Sequence, residues 1–326
     1  MTKNPTRITI IQDDRIGSEI IPEAVKILDK IANKYNHNFE YNYAPAGKSA
    51  INKFGIALPP ETVEACRNSN AALLASSSEL PELKQALGLF INVRPIKLFP
   101  ALAYACPLKG FPQIDMIIVS GNYEAEQIGR TAFKIAKQRN KKVACIKSNI
   151  NSQWQEIITK IRMEAYPDVI LTEMSADNAV MELIRDPAQF DVIVAESDFG
   201  RIFSSEAGML TGSLGMLPEA YINASCFGIY LPVHAAHEYA QDIAGRNIAN
   251  PLALILSAAM MLRLSLSMEN EAADIEEAVG RVLERSYRTA DVACKREDSS
   301  SIALVGCKEM GDFVAGEIGK YGLVGV

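Results

Sequence analysis

Short apolar runs alternate with longer amphipathic segments along most of the chain. Each run is bounded by polar residues, glycine or proline, and its residues are largely β-branched or small, as in strands that are buried on both faces. Strands that alternate with helices build βαβ units, so the pattern predicts an α/β fold with a mostly parallel sheet. The clearest predicted strands are Ile8–Ile11, Ala71–Ala75, Met116–Val119, Val143–Ile146, Val169–Leu171 and Val192–Val194.

The segments between these runs have apolar residues at helical spacing. Ser18–Asn33 and Glu124–Gln138 each place their apolar side chains on one predicted face and their polar side chains on the other. After about residue 250 the chain is predicted to be mostly helical, with one helix over Pro251–Leu262 and another near Ala272–Ser286. The first is shorter than the ~20 residues that cross a bilayer and contains Ser257. We therefore predict a buried helix and no membrane partner.

Length and charge narrow the class of protein. A chain of 326 residues is long enough for two lobes that share a large core. No Pro/Gly-rich linker or low-complexity tract separates these parts, so short crossovers are expected to join them. The net charge of −6 gives no long-range attraction to nucleic acid or to anionic lipid, which excludes both as partners.

The cysteines and the N-terminal residues indicate the cellular compartment of the protein. Six cysteines are scattered along the chain with no C-x-x-C pair, which is typical of a protein in a reducing compartment. The first residues are polar and lead directly into a predicted strand, without a basic-then-apolar signal. We therefore predict a cytoplasmic protein.

The common catalytic and nucleotide-binding motifs are absent: the chain has no G-x-G-x-x-G, G-x-x-x-x-G-K-[ST], G-x-S-x-G or H-E-x-x-H. Two weaker features each have two interpretations. His234 and His237 could share a metal if they are helical, or they could lie on a loop surface. Glu196–Gly200 follows a predicted strand, where the sites of α/β sheets gather, but it could equally be solvated loop charge.

Several longer stretches together resemble one family. They are DDRIGSE, FGIALPPETVEAC, LFINVRPIKLFPAL, SADNAVMELIRDPAQFDVIVAES, GMLTGSLGMLPEA, PVH and DIAGRNIANPLALILSAAMMLRLSL. In this order they resemble the isocitrate/isopropylmalate dehydrogenase family of β-decarboxylating hydroxyacid dehydrogenases. The resemblance implies a two-lobed fold with an interlobe cleft. The first lobe would comprise residues 1–95 and 215–326, and the second residues 96–214.

The resemblance also implies an activity, the oxidation of a malate-like 2-hydroxy acid with NAD or NADP and loss of its neighbouring carboxylate. Lys147 matches the family's catalytic lysine, Asn149 follows it as expected, and Arg94 matches a carboxylate-binding arginine. Asp177 matches one of three metal-binding aspartates, although an N-cap before the helical pattern of Ala179–Ile184 explains it equally well. The residues that match the family's adenosine pocket are His234, Asp242, Ile243, Gly245 and Asn250.

The catalytic positions depart from the family pattern. Where the family reads F-G-D-I-L-S-D-E, this chain reads FGRIFSSE, so Arg201 and Ser205 replace two metal aspartates. A hard dication prefers several anionic oxygens, so Mg²⁺ or Mn²⁺ is expected to be absent. Lys84 and Ser120 replace two arginines that clamp carboxylates. The segment with the catalytic tyrosine is missing, which leaves Tyr123 as its candidate substitute.

The segments that match the family's cofactor-binding turn and dimer arm also differ from the family pattern. The family's G-D-G-I-G-P-E is DDRIGSE here, with Asp13 and Arg15 at glycine positions, and Ala235 follows the histidine in place of glycine. A Cβ at such positions obstructs a close approach of the backbone to phosphate. The missing tyrosine segment also carries the arm that clasps two subunits. A homo- or hetero-oligomer with an altered clasp is therefore expected.

These observations favour a degenerate family member that cannot perform metal-dependent decarboxylation and acts as a ligand-binding or regulatory subunit. The alternative is an active NAD(P)-dependent dehydrogenase on a small 2-hydroxy acid, with Lys147 as base and Arg201 in place of the metal. Arg94, Lys147 and Arg201 are expected near the C-terminal ends of predicted strands, where they could hold a small carboxylate or phosphate. The competing interpretation is that each cation pairs with a nearby acid, as Arg201 would with Asp198 or Glu206.

Overall fold

Strands and helices alternate along the residues that the computed structural model describes, which are 5–12, 16–75, 80–110, 112–122, 124–147, 152–233, 243–293 and 302–320. The α/β class predicted from the hydrophobic pattern is confirmed. The strands are β1 (Thr6–Gln12), β2 (Phe39–Pro45), β3 (Ala71–Leu74), β4 (Ile91–Lys97), β5 (Asp115–Gly121), β6 (Lys142–Lys147), β7 (Ile170–Ser175), β8 (Val192–Glu196), β9 (Pro218–Ile222), β10 (Gly228–Pro232), β11 (Tyr287–Arg288) and β12 (Ala303–Leu304). The helices are α1 (Gly17–Tyr35), α2 (Gly47–Phe54), α3 (Pro60–Arg67), α4 (Leu80–Leu87), α5 (Ala125–Lys137), α6 (Ser152–Ala165), α7 (Ala176–Arg185), α8 (Ser197–Met209), α9 (Leu252–Leu264), α10 (Glu269–Glu284) and α11 (Cys307–Glu317).

The chain divides into two units. The first comprises Met1–Gly88, Leu214–Ala220 and Ser225–Val326, and the second comprises Leu89–Ser213 and Tyr221–Ala224. The boundary expected at residue 95 falls inside β4, which pairs with β5 from Asn92 to Lys97. Because its hydrogen bonds tie β4 to β5, this strand belongs to the second unit along its whole length.

Each unit is built on a row of hydrogen-bonded strands. In the first unit the order is β2-β1-β3-β10-β9, with β1 parallel to both β2 and β3 and with only Pro218–Ala220 of β9 belonging to this unit. In the second unit the order is β4-β5-β8-β6-β7, where only the β4–β5 pair is antiparallel among the strand pairings described. The prediction of a mostly parallel sheet is confirmed.

Helix α9 forms the centre of the first unit. Its residues Leu252–Leu262 are all buried, as the apolar sequence on every side of the helix predicts. The helix packs against β10 and β3 and also contacts α10 and α1. Among the described residues no helix is long and apolar enough to cross a membrane.

The helices of the second unit cover both faces of its sheet. A Cβ on Gly121, the last residue of β5, would meet the side chain of Ile128 on α5, and a Cβ on Gly129 of α5 would meet Ile158 on α6. A Cβ on Gly200 of α8 would instead meet the side chain of Ser120. Since successive residues of a strand point to opposite faces, α5 and α6 lie on one face of the sheet and α8 lies on the other.

Candidate active site

The C-terminal ends of four parallel strands form one edge of the second unit. Gly121 of β5 pairs with Glu196 of β8, and Lys147 of β6 pairs with Ser175 of β7. Lys147 lies two residues beyond the Cys145–Val194 pair that joins β6 to β8. The last residues of all four strands are therefore level with one another, at the edge where parallel α/β sheets bind ligands.

Lys147 is held at this edge by a carboxylate that the sequence pattern did not reveal. Its Nζ atom lies 2.8 Å from Oε2 of Glu173 on the neighbouring strand β7. Glu173 also accepts hydrogen bonds from Nε2 of Gln155 at 2.6 Å and from Oγ1 of Thr159 at 3.0 Å. The hydrogen bond from Lys147 is the main cause that holds the pKa of Glu173 below its usual value, against the effect of partial burial.

Asp177 lies in the first turn of α7, directly after β7. The N-cap of this helix is Ser175, whose Oγ accepts a hydrogen bond from the backbone N–H of Asn178 at 3.4 Å. The interpretation of Asp177 as the N-cap is therefore wrong. Its carboxylate is exposed and adds negative charge at the positive end of the helix dipole.

Arg201 and Ser205 lie one turn apart on α8, on the face of the sheet opposite to α5 and α6. Both are exposed, and the Ser205 hydroxyl donates to the backbone carbonyl of Arg201 at 3.0 Å. Within the described part of the chain the Arg201 guanidinium forms no ion pair with Asp198, with Glu206 or with any other acid. Partial burial raises the pKa of the Glu206 carboxyl group above its usual value. The segment Glu196–Gly200 is not a loop, since it ends β8 and begins α8.

The expectation that Arg94 lies at the C-terminal end of a strand is wrong. Arg94 is the fourth of seven residues of β4, pairs with Ile118, and belongs to a strand that runs antiparallel to β5. By strand alternation it lies on the same face as Ser120, which is the face that α8 covers. Lys147 pairs on the other face with Glu173, which accepts hydrogen bonds from Gln155 and Thr159 of α6. The described chain therefore does not gather Arg94, Lys147 and Arg201 on one face of the sheet.

The residues at the family's metal position do not fit a divalent cation. Asp177 is a single exposed carboxylate, and the two matching positions on α8 hold a guanidinium and a hydroxyl. Among the described residues no three His, Cys, Asp or Glu side chains come together in a group that could hold a metal ion. Mg²⁺ prefers several anionic oxygens, so a single carboxylate makes a weak donor set.

The described residues matched to the cofactor pocket include Asn250 and Gly245, which have partners within the first unit. Asn250 is 8% exposed, accepts from the backbone N–H of Leu252 at 2.9 Å and donates to Asp291 at 3.0 Å. The backbone N–H groups of Gly245 and Asn247 donate to the carboxylate of Glu19, the last residue of the DDRIGSE motif. Glu19 thus occupies both of these backbone donors. Nothing in the DDRIGSE pattern indicated this contact.

The other candidates are distributed as follows. Lys84 is half-buried on α4 of the first unit, and Ile243 is half-buried just before Gly245. The β5–α5 connection is short, and Glu124 has a left-handed φ of 61°. Several predicted residues lie outside the described residues; they are Tyr123, Asn149, His234, Ala235, His237, Asp242, Asp13 and Arg15.

This chain is similar to known proteins in both sequence and structure. A family model described as isocitrate/isopropylmalate dehydrogenase matches residues 7–125 and 120–314. A 3-isopropylmalate dehydrogenase from Oleidesulfovibrio alaskensis is 40% identical, with 94% of this chain and 98% of that protein aligned. A 3-isopropylmalate dehydrogenase from Clostridium acetobutylicum is 39% identical, with 96% and 99% aligned.

The same likeness holds in three dimensions. The crystal structure of isocitrate dehydrogenase from Methylococcus capsulatus superposes with a TM-score of 0.81 at 28% identity and covers 96% of this chain and 99% of that one. The resemblance expected from short motifs thus extends over almost the whole length of the protein. The chain belongs to the isocitrate/isopropylmalate dehydrogenase family.

Proposed function

We propose that this protein is a dehydrogenase that oxidises the hydroxyl group of a small 2-hydroxy acid of the isopropylmalate type, with NAD or NADP as the hydride acceptor. The observation that carries the proposal is the Lys147 ammonium group, held at the C-terminal strand edge of a chain about 40% identical to 3-isopropylmalate dehydrogenases. This function takes precedence over the degenerate, regulatory interpretation, because near full-length similarity to named dehydrogenases supports an active enzyme.

Lys147 is suited to handle the proton of the reacting hydroxyl. An ammonium group has three donors, and Glu173 takes one of them. The side chain is 37% exposed, so its other donors are accessible to a substrate oxygen. In its neutral amine form Lys147 accepts the proton of the hydroxyl as the hydride leaves the same carbon for the nicotinamide, and the ammonium group that results is paired with Glu173. Proton transfer by a positioned side chain typically contributes about 10²–10⁴ in rate.

The nicotinamide, when bound, accepts the hydride from the hydroxyl-bearing carbon. Of the described residues matched to its pocket, Gly245 and Asn250 already bond to Glu19 and Asp291, so this proposal assigns them no contact with the cofactor. Arg201 lies on the opposite side of the sheet from the Lys147–Glu173 pair. It therefore receives no part in the same proton transfer.

The test is the appearance of reduced nicotinamide with a panel of 2-hydroxy acids, including 3-isopropylmalate, isocitrate, malate and tartrate, each with NAD and NADP. We expect turnover by the wild type and a loss of about 10²–10⁴ in kcat for Lys147→Ala. Lys141→Ala is the matched control, because Lys141 directly precedes β6 and pairs with the exposed Asp168. No turnover by the wild type with any acid would refute the proposed activity.

A second function, the binding of a small carboxylate without oxidation, is favoured by two replacements. Arg201 and Ser205 stand at positions where the family has aspartates. A protein with these replacements could bind a small carboxylate without oxidising it, and could regulate an active relative in a shared oligomer. Thermal-shift titration with citrate, sulfate and phosphate would separate the two functions, because binding to the native state raises stability. Stabilisation that is lost in Arg201→Ala, together with no turnover, would support the regulatory function.

A further inference from the structure

The register of strands β6 and β7 places Lys147 and Glu173 next to each other. Cys145 pairs with Glu173 and Lys147 pairs with Ser175, so the lysine reaches diagonally across two adjacent strands to the glutamate. Both partners lie on the sheet face covered by α6. Neighbouring side chains on one face of a strand pair are close enough for this contact. The strand register therefore brings Nζ of Lys147 to Glu173 without any loop.

Helix α6 fixes the carboxylate of Glu173 from the other side. Gln155 and Thr159 are four residues apart and therefore on one face of the helix, and they donate to Oε2 and Oε1 of Glu173 respectively. Both carboxylate oxygens are thereby engaged before any substrate arrives. A side chain held at both oxygens has little rotamer freedom, so it can define the place of the ammonium group that it pairs with.

A purely structural role would explain this pair less well. Strands β6 and β7 are already joined by six successive residue pairs from Lys142–Ile170 to Lys147–Ser175. The side chains of Lys147 and Glu173 are 37% and 27% exposed, and pairs with such access to water add little to stability. The fold does not need this ion pair to align the two strands.

From this geometry we propose that Glu173 is the positioning residue for Lys147, which it holds in place at the strand edge for proton transfer. The inference rests on the proposed function for its catalytic part. Proton transfer requires the Lys147 amine within hydrogen-bond reach of the reacting hydroxyl, and a lysine on a four-carbon stem has many other rotamers. Glu173, Gln155 and Thr159 together restrict that freedom.

The first experiment needs no turnover. Competitive acetylation with acetic anhydride, followed by peptide mass spectrometry, measures the reactivity of each lysine in the wild type, Glu173→Gln and Asp168→Asn. In Glu173→Gln we expect Lys147 to react about twofold to fivefold faster, because its amino group loses the 2.8 Å contact that holds it at Glu173 and becomes more accessible to the reagent. Asp168→Asn is the matched control, since Asp168 pairs with Lys141 at 3.0 Å and should change the reactivity of Lys141 alone.

The second experiment uses the active substrate found in the panel. Glu173→Gln should lower kcat by about tenfold or more, leave KM within about twofold and alter the pH profile of kcat, whereas Glu173→Asp should restore part of kcat. Circular dichroism and Tm verify that each variant is folded. A merely structural residue would change stability without this separation of kcat from KM.

The outcomes separate the two proposals. Unchanged Lys147 reactivity in a folded Glu173→Gln variant, or an unchanged kcat and pH profile, would overturn the positioning role. If the wild type turns over no substrate, the proposed function fails, and the acetylation result alone then decides whether Glu173 positions Lys147.

Discussion

Replacing Gly200 by alanine tests whether α8 packs directly against β5, as the placement of Arg201 requires. Gly200 is buried in the first turns of α8, one residue before Arg201. A Cβ at this position would lie 2.3 Å from Cβ and 2.4 Å from Oγ of Ser120, which is itself only 3% exposed. Ordinary contacts between carbon atoms are about 3.5–4.0 Å. The helix and the strand must therefore separate by about 1 Å.

The magnitude follows from two opposing terms. Overpacking a well-filled contact typically costs about 1–3 kcal/mol, whereas alanine is favoured over glycine inside a helix by about 1 kcal/mol. Gly316 of α11 provides the reference, since a Cβ there would meet no atom within 4 Å. We expect Gly316→Ala to gain about 0.5–1 kcal/mol of stability. The free energies of unfolding of the two variants should therefore differ by about 1–3 kcal/mol, with Gly200→Ala the less stable.

Urea unfolding followed by circular dichroism measures both variants. The double variant Gly200→Ala/Ser120→Gly removes the opposing Cβ and should recover most of the loss, which gives a coupling energy of about 1–3 kcal/mol. If Gly200→Ala is stabilised as much as Gly316→Ala, α8 does not lie directly on Ser120, and the opposite-face argument for Lys147 and Arg201 loses its main support.

Two further predictions concern the metal and the pH dependence. Calorimetry should detect no micromolar Mn²⁺ binding to the wild type. The variant Arg201→Asp/Ser205→Asp should bind Mn²⁺, and the further change Asp177→Ala should abolish that binding. Micromolar Mn²⁺ binding to the wild type that depends on Asp177 would show that these residues can hold the ion after all. Glu317 is 2% exposed, and its hydrogen bond with Lys320 holds the pKa of its carboxyl group below the usual 4.5. The charged carboxylate therefore stabilises the fold above pH 4.5, and this contribution is lost as the pH falls through the folded-state pKa. The Tm deficit of Glu317→Gln relative to the wild type should therefore shrink below about pH 4.5, and a deficit that stays constant in acid would show that the charge of Glu317 contributes nothing.

Local patterns were sufficient for most elements. The apolar runs at Ile8–Ile11, Met116–Val119 and Val192–Val194 lie inside β1, β5 and β8, and Ser18–Asn33 lies inside α1. A strand or helix with a continuous apolar face has this signature because burial is set by the side-chain period of the element itself. Family membership followed from the order of motifs, which needs no coordinates.

Two strands were harder to predict. β2 is largely exposed and was not singled out, and β4 contains Pro95, which weakens a strand pattern. The direction of β4 was also beyond the sequence, so Arg94 was placed at the wrong end of a strand. Whether two neighbouring strands run parallel or antiparallel depends on the path of the chain between them and not on their own residues.

The sequence by itself determined the α/β class, the principal strands and helices, and the family, and it singled out Lys147, to which the proposed function assigns the proton transfer. Only the tertiary structure decided what Lys147 contacts and that Glu19 binds the backbone at Gly245. Hydrophobic periodicity shows which face of its own helix or strand a residue lies on. The partners of polar side chains are set by strand register and by the face that each helix covers, which join residues as far apart in sequence as Glu19 and Gly245.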